Sequence, residues 1–274
     1  MADIILHVDA ILFDMDGTLV DSTAGVVGAW NLFRKSYPSI DVDNILSCKH
    51  PVHRRLALLT FSPAQLLMEF EPSTISESFV ALKIPRSWRQ DSRCLVHRLQ
   101  YVDAVHQAES IRFEKAIVSS STEQGGQGIV LLPGVSAVMQ EIAAGRFLPN
   151  PCWAICTSAT REYASSALAS AGVPVPDVFV ASEDVEKGKP FPDPYLLGAQ
   201  KCGVDPSNCV VFEDAPNGVI SGREAGCKTI ALLTSHSLEQ IKASKPDYII
   251  KDLSDVSVKR TDTGVTVAIK ALRG

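Results

Sequence analysis

Five short apolar runs in the second half of the chain leave few folds open. "WAICTS" (153–158), "VFVA" (178–181), "CVVFED" (209–214), "KTIALL" (228–233) and "YIIKDL" (248–253) recur with segments of helical character between them. The spacing predicts a helix from Arg161 to about Ala171, one through "DPYLLGAQKC" stopped by Gly203, and one through "PNGVISGREAG". Strands that are apolar on both faces and alternate with helices build a parallel sheet covered on both sides. "AILF" (10–13) reads as the first strand of that sheet. The tail "VTVAIKA" alternates with period two and is expected to add an edge strand.

Between "AILF" and this series lie roughly a hundred residues of another character. "STAGVVGAWNLFRKSYP" puts Val26 or Val27, Trp30, Phe33 and Tyr37 at helical spacing, a stripe suited to core packing. "SPAQLLMEF" and "VHRLQYVDAVHQAESIRFEKAIV" also read as helices, and "SSSTEQGGQG" (119–128) reads as a flexible linker. "LLPGVSAVMQEIAAG" then returns to the alternating pattern. The expected organisation is an α/β core from residues 1–20 and 129–274, interrupted by a helical insert over 21–128.

Composition narrows the functional classes. The 274 residues are 46% hydrophobic and 21% charged, with a formal net charge of −5, an ordinary globular balance. A mildly acidic chain lacks the basic face that nucleic-acid binding wants. No apolar run approaches the ~20 residues that span a bilayer, and "MADIILHVDAILF" has no basic n-region of a signal peptide. Seven cysteines without a CxxC pair suit reduced, buried thiols rather than zinc or a disulfide framework. A cytoplasmic monomer acting on a small molecule, with no nucleic-acid or membrane partner, is the expectation.

The ends of the apolar runs carry the chemistry. "AILF" is followed by "DMDGT", which sets Asp14 and Asp16 one residue apart before Gly17. Asp and Gly after a strand are ordinary turn residues. A calcium loop would need further oxygen ligands and a Glu near its twelfth position, and the apolar "TLVDSTAGVVGAW" lacks it. Elsewhere "WAICTS" ends in Thr157 and Ser158, "VVFED" ends in Glu213 and Asp214, and Lys189 follows the third run in "KGKPFPDPY". Each has a bland reading, as turn residue, helix-start acid or solvated lysine. In a parallel sheet, however, all of them gather at the carboxyl edge, where ligands bind. Two carboxylates as close as Asp14 and Asp16 repel unless a cation lies between them or one holds a proton. The set suits a phosphate and a hard divalent metal.

With "DMDGT", "TS", "GKP" and "FEDAPNG" present in that order, the chain resembles the haloacid dehalogenase (HAD) superfamily, in its phosphatase branch. From "WAICTSATREYA" onward it is similar to the fungal 2-deoxyglucose-6-phosphate and glycerol-phosphate phosphatases. The resemblance implies a Rossmann-like α/β core with an inserted helical cap, and Mg²⁺ as cofactor. It implies Asp14 as nucleophile and Asp16 as general acid and base. Thr157, Ser158 and Lys189 would bind phosphate. Asp14, the main-chain carbonyl of Asp16 and Asp214 would hold the metal, with Glu213 alongside. The second aspartate weighs against a dehalogenase, because a halide leaves without a proton. Asp193 is read as orienting its loop. In the insert, "KHPVHRR" stands where the relatives carry His-Gly-x-Arg, so His50, His53 and Arg54 are candidate substrate contacts, with a solvated helix face as the alternative. The implied activity is hydrolysis of a sugar or polyol phosphate through an aspartyl-phosphate. A prenyl (di)phosphate substrate, a phosphosugar mutase and a silent binding module stand as alternatives.

Overall fold

The structure, a computed structural model, describes residues 2–36, 111–123, 126–143 and 151–272. Its centre is a six-stranded sheet, β2 (Ala10–Phe13), β5 (Trp153–Cys156), β6 (Val178–Val180), β7 (Cys209–Glu213), β8 (Lys228–Leu232) and β9 (Tyr248–Ile250), while β3 (Val20–Asp21) and β4 (Val130–Leu131) pair apart from it. The order is β6-β5-β2-β7-β8-β9, and every neighbouring pair is parallel. Strand β2 lies at the switch point, with β5 on one side and β7 on the other, so its carboxyl end opens onto the crevice between the two halves.

Alternation along the strands explains why the apolar runs are continuous. Ile11, Phe13, Val210 and Phe212 join a core with Trp30, Phe33 and Tyr163. Ala10, Leu12, Cys209 and Val211 join a second one with Tyr195 and Ala199 on the opposite face. Both faces are covered, so neither set of alternate positions tolerates a polar residue. Phe13 and Phe212 stack across the strands with centroids 5.3 Å apart. The expected helices form over Arg161–Ala171, Asp193–Cys202 and Pro216–Glu224. The second of these ends on Gly203 in the left-handed conformation.

Two expectations need correction. The tail strand, β11 (Val265–Ala271), is not an edge of the main sheet. It is the centre of a separate antiparallel sheet, flanked by β1 (Ala2–Val8) and β10 (Val256–Arg260). Its period-two pattern turns Val265, Val267, Ile269 and Ala271 inward, beside Leu6, Val8, Val256 and Val258. The segment 119–128 is not a loose linker over its length, because 111–123 is helical. Ser120 and Ser121 are buried, the Gly25 N–H donates to the Gly128 carbonyl at 2.9 Å, and a Cβ on Gly128 would lie 2.6 Å from Ser121 Cα. Small residues here permit close packing rather than freedom.

Helix Thr23–Ser36 and the helical segment 111–123 flank the span expected to form the insert. Trp30, Phe33 and Phe113 pack together, Trp30 and Phe113 at 4.7 Å between centroids and Phe33 and Phe113 at 5.2 Å. The stripe read from the sequence is therefore core packing, with Val26 as its buried valine. It packs helix Thr23–Ser36 against the helical segment 111–123. Residues 37–110, with Tyr37, His50, His53 and Arg54, lie outside the described residues. No described helix is long and apolar enough to cross a membrane.

Candidate active site

Asp14 follows β2 directly, and its N–H donates to the Phe212 carbonyl at 3.0 Å, which ties it to the end of β7. Buried Lys189 reaches it from the segment after β6. The ammonium donates to Asp14 Oδ1 at 2.6 Å and to Glu213 Oε1 at 2.7 Å. Glu213 Oε1 also accepts from the Tyr195 hydroxyl at 3.0 Å. Its Oε2 accepts the N–H groups of Asp214 and Ala215, each at 2.9 Å. Glu213 is thus the hub that holds Lys189 against Asp14. The lysine also lies 4.9 Å from the centroid of the Tyr195 ring, a cation–π distance.

Two glycines make room for these carboxylates. Gly218, in helix Pro216–Glu224, lies so close to Glu213 that a Cβ would fall 1.6 Å from Oε1. Gly17 has φ +87°, and a Cβ there would meet Asp214 Oδ2 at 2.1 Å. Only glycine takes that φ freely, so the glycines of "DMDGT" and "FEDAPNG" serve the acid cluster sterically.

Asp14, Glu213 and Asp214 are all buried, and each offers an oxygen within 4.8 Å of the others. Three carboxylates share this space with one ammonium. Burial pushes Asp14 up to about 7, with Lys189 opposing and Glu213 and Asp16 adding to the rise. Asp214 also titrates well above the ordinary range, through burial and then Glu213 and Asp14. Burial disfavours the Lys189 charge, but Asp14 and Glu213 outweigh it and raise this lysine, so it stays protonated. Tyr195 is raised by burial and by Glu213, and remains a neutral donor. Hard oxygens around an excess of negative charge fit a divalent cation.

A stability prediction follows for the metal-free protein. Asp14 and Asp214 bind protons more tightly folded than unfolded. Their contribution is therefore fully present below about pH 4, the unfolded carboxylate range, and declines as pH rises through about 7, where Asp14 titrates. The loss is on the order of a few kcal/mol. A divalent cation bound by the cluster would compete with those protons, so any rise in Tm on adding Mg²⁺ should be larger at pH 8 than at pH 5. Thermal melts with EDTA and with Mg²⁺ at both pH values measure this. An equal rise at the two would contradict it.

The other expected residues surround this centre. Thr157 is buried just beyond β5, and its hydroxyl accepts the Ala159 N–H at 3.0 Å. Ser158 beside it is exposed. The β2–β5 register pairs Phe13 with Ile155, which brings Asp14 alongside the end of the strand that carries Thr157. Asp16 Oδ1 accepts from the Ser22 hydroxyl and from the Tyr163 hydroxyl, each at 2.8 Å. Asp193 is the first residue of its helix.

Sequence reasoning did not single out Tyr195, Tyr163 or the Ser235–His236 pair. Tyr195 closes "KGKPFPDPY" and Tyr163 follows "TSATRE". Proximity to those motifs was the available signal, but neither hydroxyl has a spacing that marks it.

The model of the haloacid dehalogenase-like hydrolases matches residues 8–226. The chain belongs to that family. Hexitol phosphatase A of Escherichia coli is 35% identical over 248 residues, covering 85% of this chain and 93% of that protein. Glycerol-1-phosphate phosphohydrolase 2 of Saccharomyces cerevisiae is 28% identical over 260 residues, covering 92% and 86%. The crystal structure of CbbY from Rhodobacter sphaeroides, in complex with phosphate, matches at TM-score 0.58 and 22% identity, over 90% of this chain and 96% of that one. That last likeness is one of fold. Within the HAD-like hydrolases, the named sequence relatives are phosphatases, and this chain is an enzyme of their kind.

Proposed function

We propose that the chain is a Mg²⁺-dependent phosphatase of a sugar or polyol phosphate that works through a phosphoaspartate at Asp14. The observation that carries this reading is the Lys189 ammonium held between Asp14 and Glu213, with Asp214 beside them. The names of the sequence relatives support the substrate class.

In this reading an oxygen of the Asp14 carboxylate attacks phosphorus and the bond to the ester oxygen breaks. The Asp16 carboxyl gives its proton to the departing alkoxide. It then takes a proton from the water that attacks the phosphoaspartate, and the Asp14 carboxylate is released. Lys189 uses two of its three donors on Asp14 and Glu213, leaving a third N–H for a phosphate oxygen. The Thr157 hydroxyl accepts from Ala159 N–H, which leaves its own proton for the same phosphate. The Ser158 N–H is assigned there as well. Asp14, Asp214 and the Asp16 carbonyl, with Glu213 alongside, would hold Mg²⁺, which when bound would supply Lewis-acid neutralisation of the phosphate charge. The insert over 21–128 is assigned as the cap, with His50, His53 and Arg54 as its substrate contacts.

The test is a panel of phosphorylated sugars, polyols and prenyl alcohols, assayed with Mg²⁺ and with EDTA. Release of phosphate from sugar or polyol phosphates, dependent on Mg²⁺, is expected. A preference for prenyl phosphates, or transfer to a second hydroxyl without phosphate release, would overturn the assignment.

Tyr163 gives a sharper prediction. Its hydroxyl orients Asp16, so Tyr163→Phe should impair the proton transfer rather than the attack. A hydrogen bond to a charged group is worth about 1.5–3 kcal/mol, which sets the expected loss in kcat/KM on an alkyl phosphate at roughly 10-fold or more. On p-nitrophenyl phosphate, whose leaving group departs without a proton, the change should be small. Equal losses on both substrates would assign Tyr163 to packing alone.

A further inference from the structure

Strand β8 ends at Leu232, and the chain then turns through Leu233, Thr234, Ser235 and His236 before Ser237 caps the helix Leu238–Ala243. This turn touches both sides of the acid cluster. The Thr234 hydroxyl donates to the carbonyl oxygen of Gly17. The Ser235 hydroxyl donates to Asp214 Oδ2 and lies 3.1 Å from the Asp214 carbonyl oxygen. His236, itself buried, sets its Nδ1 2.6 Å from Ser235 Oγ. On the other side the Thr18 hydroxyl lies 3.5 Å from Asp214 Oδ1.

The donor inventory gives this chain of contacts a direction. An ionised carboxylate only accepts, and a serine hydroxyl carries one proton. A metal-ligating Asp214 is ionised, so the Ser235 proton goes to Oδ2. Ser235 Oγ is then left as an acceptor for the N–H at His236 Nδ1. The run is His236 Nδ1–H to Ser235 Oγ–H to Asp214 Oδ2. Gly17, which Thr234 grips, is the residue whose missing Cβ gives Asp214 Oδ2 its space. The turn therefore fixes the Asp214 carboxylate from one side and the backbone that it packs on from the other.

We propose that Thr234, Ser235 and His236 are a positioning relay that pre-orients Asp214 for a divalent cation, with His236 setting the affinity for that cation through Ser235. The proposal rests on the reading of Asp14 and Asp214 as metal ligands. Partners that orient a metal-binding side chain typically contribute 10–100-fold in affinity.

The experiment is a calorimetric titration of the full chain with Mn²⁺, without substrate, on wild type, Ser235→Ala, His236→Phe and His236→Asn, beside melting temperatures in EDTA. Ser235→Ala and His236→Phe should bind Mn²⁺ about 10–100-fold more weakly. His236→Asn, whose amide N–H can stand in for the Nδ1 donor, should recover most of the affinity. Wild-type affinity in Ser235→Ala and His236→Phe would overturn the relay while leaving the metal site intact. So would a His236→Asn protein that melts like wild type but binds as weakly as His236→Phe, since packing rather than donation would then matter. A wild-type chain that takes up no Mn²⁺ would instead remove the metal site, and the relay with it.

Discussion

Asp14→Asn is expected to abolish phosphate release on every substrate, with a fall in kcat on the order of 10⁴-fold or more, the scale seen when a covalent nucleophile is lost. The amide is nearly isosteric and still accepts from Lys189 through its oxygen, so the fold should survive. It also removes one of the three buried carboxylates beside Lys189. The variant should therefore melt no lower than wild type in EDTA, and it should lose the part of the pH-dependent stability that Asp14 supplies. Inactivity accompanied by a collapse in stability would instead make Asp14 a structural residue.

Lys189→Met should have the largest effect on stability. The ammonium is buried between Asp14 and Glu213, with only 6% of its side chain exposed. Removing one partner of a buried ion pair leaves charge uncompensated and typically costs about 3–5 kcal/mol. Here two carboxylates lose their shared donor at once, and Asp214 lies close by. Urea denaturation in EDTA should show the cost to be greater at pH 8 than at pH 5, where protons neutralise part of the cluster. Adding Glu213→Gln should restore part of the stability, because the residue that anchors the lysine is also the charge that its loss exposes. Turnover should fall in both variants, on the order of 10²–10³-fold for loss of one charge-stabilising donor. A Lys189→Met protein as stable as wild type at pH 8 would mean that the cluster does not carry the charges assigned to it.

The parallel sheet was legible because its strands are buried on both faces. "CVVF" and "WAIC" are apolar at every position, and the helices between them stop at recognisable residues such as Gly203. The antiparallel sheet was harder. The alternation in "VTVAIKA" marks a strand, but its partner Ala2–Val8 lies more than two hundred and fifty residues away, and nothing local encodes the pairing Val8 with Val265. The polar stretch 119–128 misled for a related reason. Serine and glycine suit a loose linker and a tightly packed crossing equally well, and the helix over 111–123 together with the approach of Gly128 to Ser121 decides between them.

Within the site, the residues legible in the sequence are those attached to strand ends, where topology alone brings them to one edge. Asp14, Glu213, Asp214 and Thr157 are of this kind. Lys189 came from its motif, and its bridge between two carboxylates did not. Tyr195, Tyr163, Ser235 and His236 act from helices and a turn, and their partners depend on how those elements pack. A buried tyrosine in an apolar stretch looks the same in sequence whether its hydroxyl meets a carboxylate or a backbone carbonyl.

Covalent catalysis by this chain requires that Asp14 becomes phosphorylated during turnover. The direct measurement is rapid acid quench of the enzyme with Mg²⁺ and a sugar or polyol phosphate that it hydrolyses, followed by peptide mass spectrometry. One phosphoryl group is expected on the peptide that contains Asp14, appearing within the first turnover and absent from Asp14→Asn. Steady hydrolysis with no phosphorylated peptide, or with the phosphoryl group on another residue, would contradict it.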